Sequence, residues 1–345
     1  MKNTLNEADL RELFAQSSEV KMHTYASQQH SQTRSVLLIY CEGMADSMRI
    51  QQFILPQLEQ MLNSSPSTPK GSAGVLMDLW PILPERRNEL STLVYSGQLI
   101  LFFEEDSSLY TLDIANPPQR KPEESSTEVS IKGPRDAFTE EVSTNIALVR
   151  KRLRSPSMCT EQFIVGRRSH TKVALLYIRD IISSEIIDEV RSRIQALDID
   201  ALLSSSQLQE LIGDTSYPLF PLMDDIGRPD YVADSLIRGR FAILVDGAPM
   251  ALLAPSNLME ILKSPEDMHL PFHYVSLERL LRLIGLLISI YLPGFWIAVS
   301  SFNLDQIPFP LLATITSSRL GLPLSGPIDF YLIIGLFELF REVAL

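Results

Sequence analysis

The chain has 345 residues, with 42 acidic against 30 basic side chains and a formal charge of -12. That balance argues against a nucleic-acid binder, which needs basic groups facing phosphates, and the length suits roughly two globular domains ahead of any membrane part. The two cysteines, Cys41 and Cys159, have no paired spacing; they suit a reducing compartment and exclude a disulfide or zinc framework.

The first residues (MKNTLNEADL) carry acids and no apolar core, so they are not a secretory signal. Residues 1–34 hold one short helical candidate around Leu5, Leu10, Leu13 and Phe14, then the polar tail SQQHSQTR. They read as a mobile lead-in. Order is expected from Ser35. SVLLIYC is an apolar run of strand length, followed by the loop EGMA and a helix with Asp46 as N-cap ahead of Ile50, Phe53, Ile54 and Leu58. NSSPSTPKGSAG reads as a surface linker. A helix over 88–95, a strand QLILFF, a turn and a strand LYTLDI complete a first α/β subdomain over 35–132.

The unit occurs twice. KVALLYI, over 172–178, repeats SVLLIYC, with Tyr177 standing where Tyr40 stood. A helix from Ser184 carries Ile187, Val190, Ile194 and Leu197 on one face. A short helix to Arg238-Gly239, a strand FAILV, a turn at Asp246-Gly247 and a strand MALLA then repeat the earlier order. The chain is therefore predicted to be α/β, with two related subdomains over 35–132 and 157–265.

Between them, GPRDAFTEEVSTNIALVRKRLRSP predicts a connecting helix over 133–156. Phe138, Val142, Ile146, Val149 and Leu153 form its apolar stripe, acids open it, and Arg150, Lys151, Arg152 and Arg154 close it. The basic cluster reads as a solvated face that complements the helix dipole, ahead of a role in gripping anionic headgroups.

From 275 to 345 the composition changes to that of a membrane region. Between Arg282 and Asp305 the run LIGLLISIYLPGFWIAVSSFNL carries no charged side chain. It would span about 33 Å as a helix, close to the thickness of a bilayer core. Pro293-Gly294 interrupts it. The pair is a candidate hinge or pore-lining kink, set against a plain kink tolerated within a bundle. Lys263, Arg279 and Arg282 on the N-terminal side place the large N-terminal region in the cytoplasm. IPFPLLATITSSRLGLPLSGP reads as an interfacial or re-entrant piece. IDFYLIIGLFELF begins another apolar helix, whose Glu338, Arg341 and Glu342 share a face as a candidate membrane polar cluster.

No dinucleotide, P-loop, zinc-protease or nucleophile-elbow motif is present. His269 and His273 are separated by Pro271, which spoils a shared metal geometry. Glu42, Asp46, Asp180 and Asp246 follow strands, where catalytic carboxylates often sit, but turns and N-caps select the same residues. No catalytic residue, metal or cofactor is assigned.

Several long segments carry a resemblance. The 133–156 segment and GRPDYVADSLIRGRFAILVDGAPMALLAP, with Arg228, Pro229, Asp230, Gly239, Arg240, Asp246, Gly247 and Pro249, resemble the A subunits of GerA-type spore germinant receptors. LRLIGLLISIYLPGFWIAVSSFN and FELFRE are similar to that family's membrane segments. Arg135, Asn145, Arg228, Pro229, Asp230, Asp246 and Gly247 are motif positions without an assigned role. The resemblance implies a cytoplasmic two-subdomain region and a multi-span region in the spore inner membrane, incomplete at Leu345. It implies B and C subunits, further A subunits and membrane lipid as partners, and a part in a gated ion conduit. Two alternatives are a family sibling that supports germination without sensing nutrient, and a membrane-anchored enzyme.

Overall fold

The structure is a computed structural model. It describes residues 6–27, 34–63, 79–82, 89–105, 107–118, 136–213, 222–257, 260, 263–264, 267, 270–302, 307–319 and 326–344. They divide into two units, 1–269 and 270–345.

The first unit uses one arrangement of elements twice. Copy one runs α1 (Glu7–Leu13), β1 (Val20–Ser27), β2 (Arg34–Cys41), α2 (47–63), β3 (Trp80–Pro81), α3 (Leu90–Tyr95), β4 (Gln98–Phe103) and β5 (Ser108–Asp113). Helix α2 passes through a π-helical turn at Ile50–Ile54. Copy two runs α4 (Val142–Arg150), β6 (Met158–Val165), β7 (Thr171–Ile178), α5 (Ser184–Gln195), α6 (Ser205–Ile212), β8 (Asp224–Ile226), α7 (Pro229–Ile237), β9 (Phe241–Val245) and β10 (Ala251–Ala254). The sheets are ordered β1-β2-β4-β5-β3 and β6-β7-β9-β10-β8, so the second copies the first strand for strand. All pairings between these strands are antiparallel.

The apolar runs become central strands because both of their faces are covered. In β2, Val36 and Leu38 meet Ile50, Ile54 and Leu58 of α2, while Leu37 and Ile39 meet Leu10, Phe14, Leu90 and Val94 from α1 and α3. In β7, Val173 and Leu175 meet Ile187, Val190 and Leu208, while Ala174 and Leu176 meet Val142, Ile146, Val232 and Leu236. The two-residue period of a strand therefore divides each run between two helical layers.

Two sequence expectations change. Residues 6–27 are not a mobile lead-in but supply α1 and β1; the eight-residue pairing of β1 with β2 and the burial of Leu10 and Phe14 hold them in place. Of the described part of the 133–156 segment only Val142–Arg150 is an α-helix; residues 136–141 form an irregular loop with a bend at residue 140. Nor is α4 a spacer: it opens the second copy as α1 opens the first, and covers the equivalent sheet face.

Between β6, β7 and α5, Glu161 accepts two hydrogen bonds from Arg191, at 2.8 and 2.6 Å, and one from the Tyr177 hydroxyl at 2.7 Å. The Arg191 bonds, then that of Tyr177, hold the Glu161 carboxyl below its ordinary 4.5. A depressed carboxylate stabilises the fold above its unfolded pKa, and that contribution is lost as pH falls through the folded value. Glu161→Gln is therefore expected to destabilise by about 1–2 kcal/mol at pH 7 and by progressively less below pH ~4.5. Denaturant unfolding across pH checks this; an equal loss at pH 7 and pH 3 would contradict it.

The second unit contains α8 (Phe272–Phe302), α9 (Phe309–Arg319) and α10 (Gly326–Ala344). Phe272–Val299 of α8, 28 residues that include an 18-residue window of mean hydropathy 1.9, is long and apolar enough to cross a membrane. Ile290, Tyr291, Phe295 and Trp296 are all exposed on it, an apolar surface that water does not favour. The helix continues through Pro293. The segment read as interfacial is helical over Phe309–Arg319.

Candidate functional site

The motif positions converge on α4. At its N-terminus, Glu141 occupies the N-cap without a side-chain cap bond. The missing acceptor comes from the β9–β10 turn, where Asp246 Oδ1 receives the Val142 N–H at 3.1 Å. Gly247 donates its N–H to the Glu140 carbonyl at 2.6 Å. Its φ of +87° with nothing within 4 Å of a built Cβ means that backbone conformation alone selects glycine here. Asn145, wholly buried, folds the preceding loop over: its Nδ2 donates to the Thr139 carbonyl at 2.6 Å and its Oδ1 accepts from the Thr139 N–H at 2.7 Å.

Phe138 donates its N–H to the Gly227 carbonyl at 3.0 Å, which brings in the start of α7. There Pro229 takes the first helical position, where a missing N–H costs nothing. Arg228 and Asp230 on either side form a buried ion pair, with Nε–Oδ1 3.2 Å and Nη2–Oδ2 2.7 Å. Asn145, Asp246 and Gly247 bond the backbone around the start of α4, while Arg228, Pro229 and Asp230 stand at the start of α7, next to the Gly227 carbonyl that Phe138 meets. Arg135 lies outside the described residues.

The C-terminal end of α4 joins the other copy. Arg150 is fully buried and ion-paired with Glu19, which is 3% exposed. It also donates to the carbonyls of Ser155 at 2.9 Å and Met158 at 3.0 Å, and its guanidinium lies 4.1 Å from the Tyr95 ring centroid. Tyr95 meets Ser17 Oγ at 2.8 Å; burial pushes its hydroxyl pKa up and pushes the Cys41 thiol up to about 12. Beside them the Ser18 N–H donates to the Thr160 carbonyl at 3.2 Å and the Thr160 N–H to the Gln16 carbonyl at 3.0 Å, so the connection from α1 to β1 bridges to β6 of the second copy. Gly43, at φ +80°, lies so close to α4 that a Cβ would meet Ala147 Cβ at 3.1 Å and Ser143 O at 3.2 Å.

Arg150 was not legible as a site residue because it stands in a run of bases that reads as a solvated face. The missed signal is its position: residues 142, 146 and 150 continue one stripe at i, i+4, i+8. A third buried arginine, Arg240, binds Asp224 at 2.6 Å and the Leu253 carbonyl at 3.0 Å.

The other candidates separate from this joint. Pro293 and Gly294 lie in α8. Glu338 and Arg341 form an ion pair on α10, which also carries Glu342. Asp46 caps α2, Glu42 pairs with Lys21 at 3.1 Å, and Asp180 is exposed in a turn. No three metal-ligating side chains cluster among the described residues. The joint packs α4 against both copies.

Asp246→Ala is expected to cost about 0.5–2 kcal/mol, the usual loss for a helix cap, and Asp246→Asn a smaller part of that because it keeps an acceptor. Equal melting temperatures for Asp246→Ala and the unaltered protein would contradict the cap.

A family model described as the Bacillus/Clostridium GerA spore germination protein matches residues 8–345. Spore germination protein XA of Bacillus anthracis is 39% identical over 350 residues, covering 100% of this chain and 71% of that protein. The uncharacterized membrane protein YfkQ of Bacillus subtilis (strain 168) is 31% identical, covering 88% of this chain and 60% of that protein. The crystal structure of the N-terminal domain of the A subunit of the Bacillus megaterium spore germinant receptor GerK3 is similar at TM-score 0.54 and 27% identity. It covers 75% of this chain and 97% of that one. On the extent of the family match and the likeness to protein XA, the chain belongs to the GerA family of spore germination proteins.

Proposed function

We propose that the chain is the A-type subunit of a nutrient germinant receptor in the spore inner membrane. It works there with B- and C-type subunits and further copies of itself, and contributes to a gated ion conduit. The observation that carries this reading is the likeness of the first unit to the GerK3 A-subunit domain, within a family match that continues through the apolar helices to residue 345. Deleting the gene from the spore-former that carries it should abolish ion release in response to one class of nutrient and spare the others. Spores that respond unchanged to every nutrient tested would overturn the proposal.

A second reading is a family sibling that supports ion release without sensing nutrient; YfkQ is a relative whose name gives a membrane protein and no receptor role. Deletion would then slow release equally for all nutrients.

Within the proposed conduit, Pro293 and Gly294 form the hinge. Pro293 lacks the N–H that would bond the Ser289 carbonyl, and its ring crowds the preceding turn. Pro293→Ala restores that bond and favours a straight helix. A bias of ~1.4 kcal/mol changes a two-state equilibrium tenfold, so nutrient dose–response should shift by about tenfold at matched receptor abundance. An unshifted curve leaves the proline as a packing feature. The Glu338–Arg341 pair on α10 supplies polar lining in the same region.

A further inference from the structure

Away from the α4 joint, the second copy contains a cavity of about 360 Å³ between α5, the end of α6 and the β10 edge. Its floor is apolar: Phe241, Met223 and Ala254, with Val190 and Ile212 on the walls, all at most 9% exposed. The size falls in the lower part of the range of small-molecule sites. Fixed backbone frames it, since Ser256 donates its N–H to the Leu222 carbonyl at 2.9 Å and its hydroxyl to Asp224 at 2.7 Å.

Charge at the mouth is one-sided. Glu185, Glu189 and Arg193 fall on one stripe of α5 at i, i+4, i+8. Arg193 is spoken for: its Nε bonds Glu189 Oε1 at 2.7 Å and its Nη1 the Ile212 carbonyl at 2.8 Å. That pairing neutralises Glu189. Glu185 makes no ion pair among the described residues and leaves one uncompensated carboxylate over an apolar well. A buried apolar wall with a single anionic rim group selects an apolar body with a cationic end; an organic anion would meet repulsion and a neutral analogue would lose the charge contact.

We infer that this cavity is a binding site for a small apolar molecule carrying a primary or substituted ammonium group. The inference stands on the cavity alone and does not depend on the receptor reading. It is tested on the full-length protein in detergent with 2-phenylethylamine as the probe, and phenylacetate and 2-phenylethanol as its charge-reversed and neutral counterparts. Binding is followed by saturation-transfer NMR and by the shift in melting temperature. The amine should bind at least tenfold more tightly than either counterpart. Glu185→Gln, a change at the rim, should remove most of that preference while leaving the unliganded melting temperature unchanged. Val190→Trp, which fills the well, should abolish binding of all three.

Three outcomes overturn the site: no amine binding at millimolar concentration, equal binding of amine and carboxylate, or unaltered amine binding by a folded Val190→Trp variant. If Val190→Trp fails to fold, Ala254→Leu serves as a smaller filling change, and the Glu185→Gln result decides in any case.

Discussion

Arg150→Met is expected to lower the stability of the first unit by about 3–5 kcal/mol, the usual cost of removing one member of a buried ion pair. The loss does not come mainly from the missing attraction. Methionine fills much of the arginine volume but leaves Glu19, at 3% exposure, as an uncompensated buried carboxylate. The native pair is itself imperfect, since Glu19 Oε2 and Arg150 Nε have no hydrogen-bond partner. The double variant Arg150→Met/Glu19→Leu should therefore recover most of the loss. Denaturant unfolding of the two single variants and the double decides the matter: strictly additive losses would mean that the residues do not act as a pair. Because Glu19 belongs to the first copy and Arg150 to α4, the coupling energy of that cycle also measures how tightly the copies are held together.

The duplicated order was legible because SVLLIYC and KVALLYI are unbroken apolar runs, and such runs become strands covered on both faces. The strands that open each sheet were not. VKMHTYAS and MCTEQFIV become β1 and β6, sheet edges with one wet side, and their polar residues hide the period; in β6 the buried and exposed positions alternate only from Glu161 onward. Without those strands, α1 looked like a loose tail and α4 like a connector, although each is the first element of its copy.

The site was half legible. Its motif positions were named, yet one of them, Asp246, caps a helix 104 residues earlier in the chain, a pairing that no local pattern encodes. Arg150 was hidden by its neighbours: Lys151 is exposed, and Arg152 is partly exposed and pairs with Asp136. A run of four bases reads as one solvated face even when one of them turns inward. The long apolar helix α8 needed no tertiary information to be found, since length and lack of charge over 283–304 define it.

Ile146→Asp is expected to destabilise the first unit by about 4 kcal/mol or more, combining the loss of a buried aliphatic side chain with the burial of an unpaired carboxylate. Ile146 is 1% exposed and lies in the cluster formed with Val142, Val149, Val232, Leu236 and Leu244. Its neighbour Ala147 belongs instead to the cluster of the first copy, with Leu37, Tyr95 and Phe102. One residue therefore separates the two sides of α4, and the damage should be directional. Ile146→Val, which removes one methylene group, should cost only about 0.5–1.5 kcal/mol and serves as the volume control. Amide hydrogen exchange under native conditions should show α7 and β9 losing protection first, with α3 and β4 following only as the whole unit unfolds. Equal early loss in both copies would mean that α4 is shared evenly between them, and an unchanged melting temperature would mean that the stripe is not packed at all. The opposite choice on the same helix, Ala147→Asp, places the charge against the first copy and should reverse the order in which protection is lost.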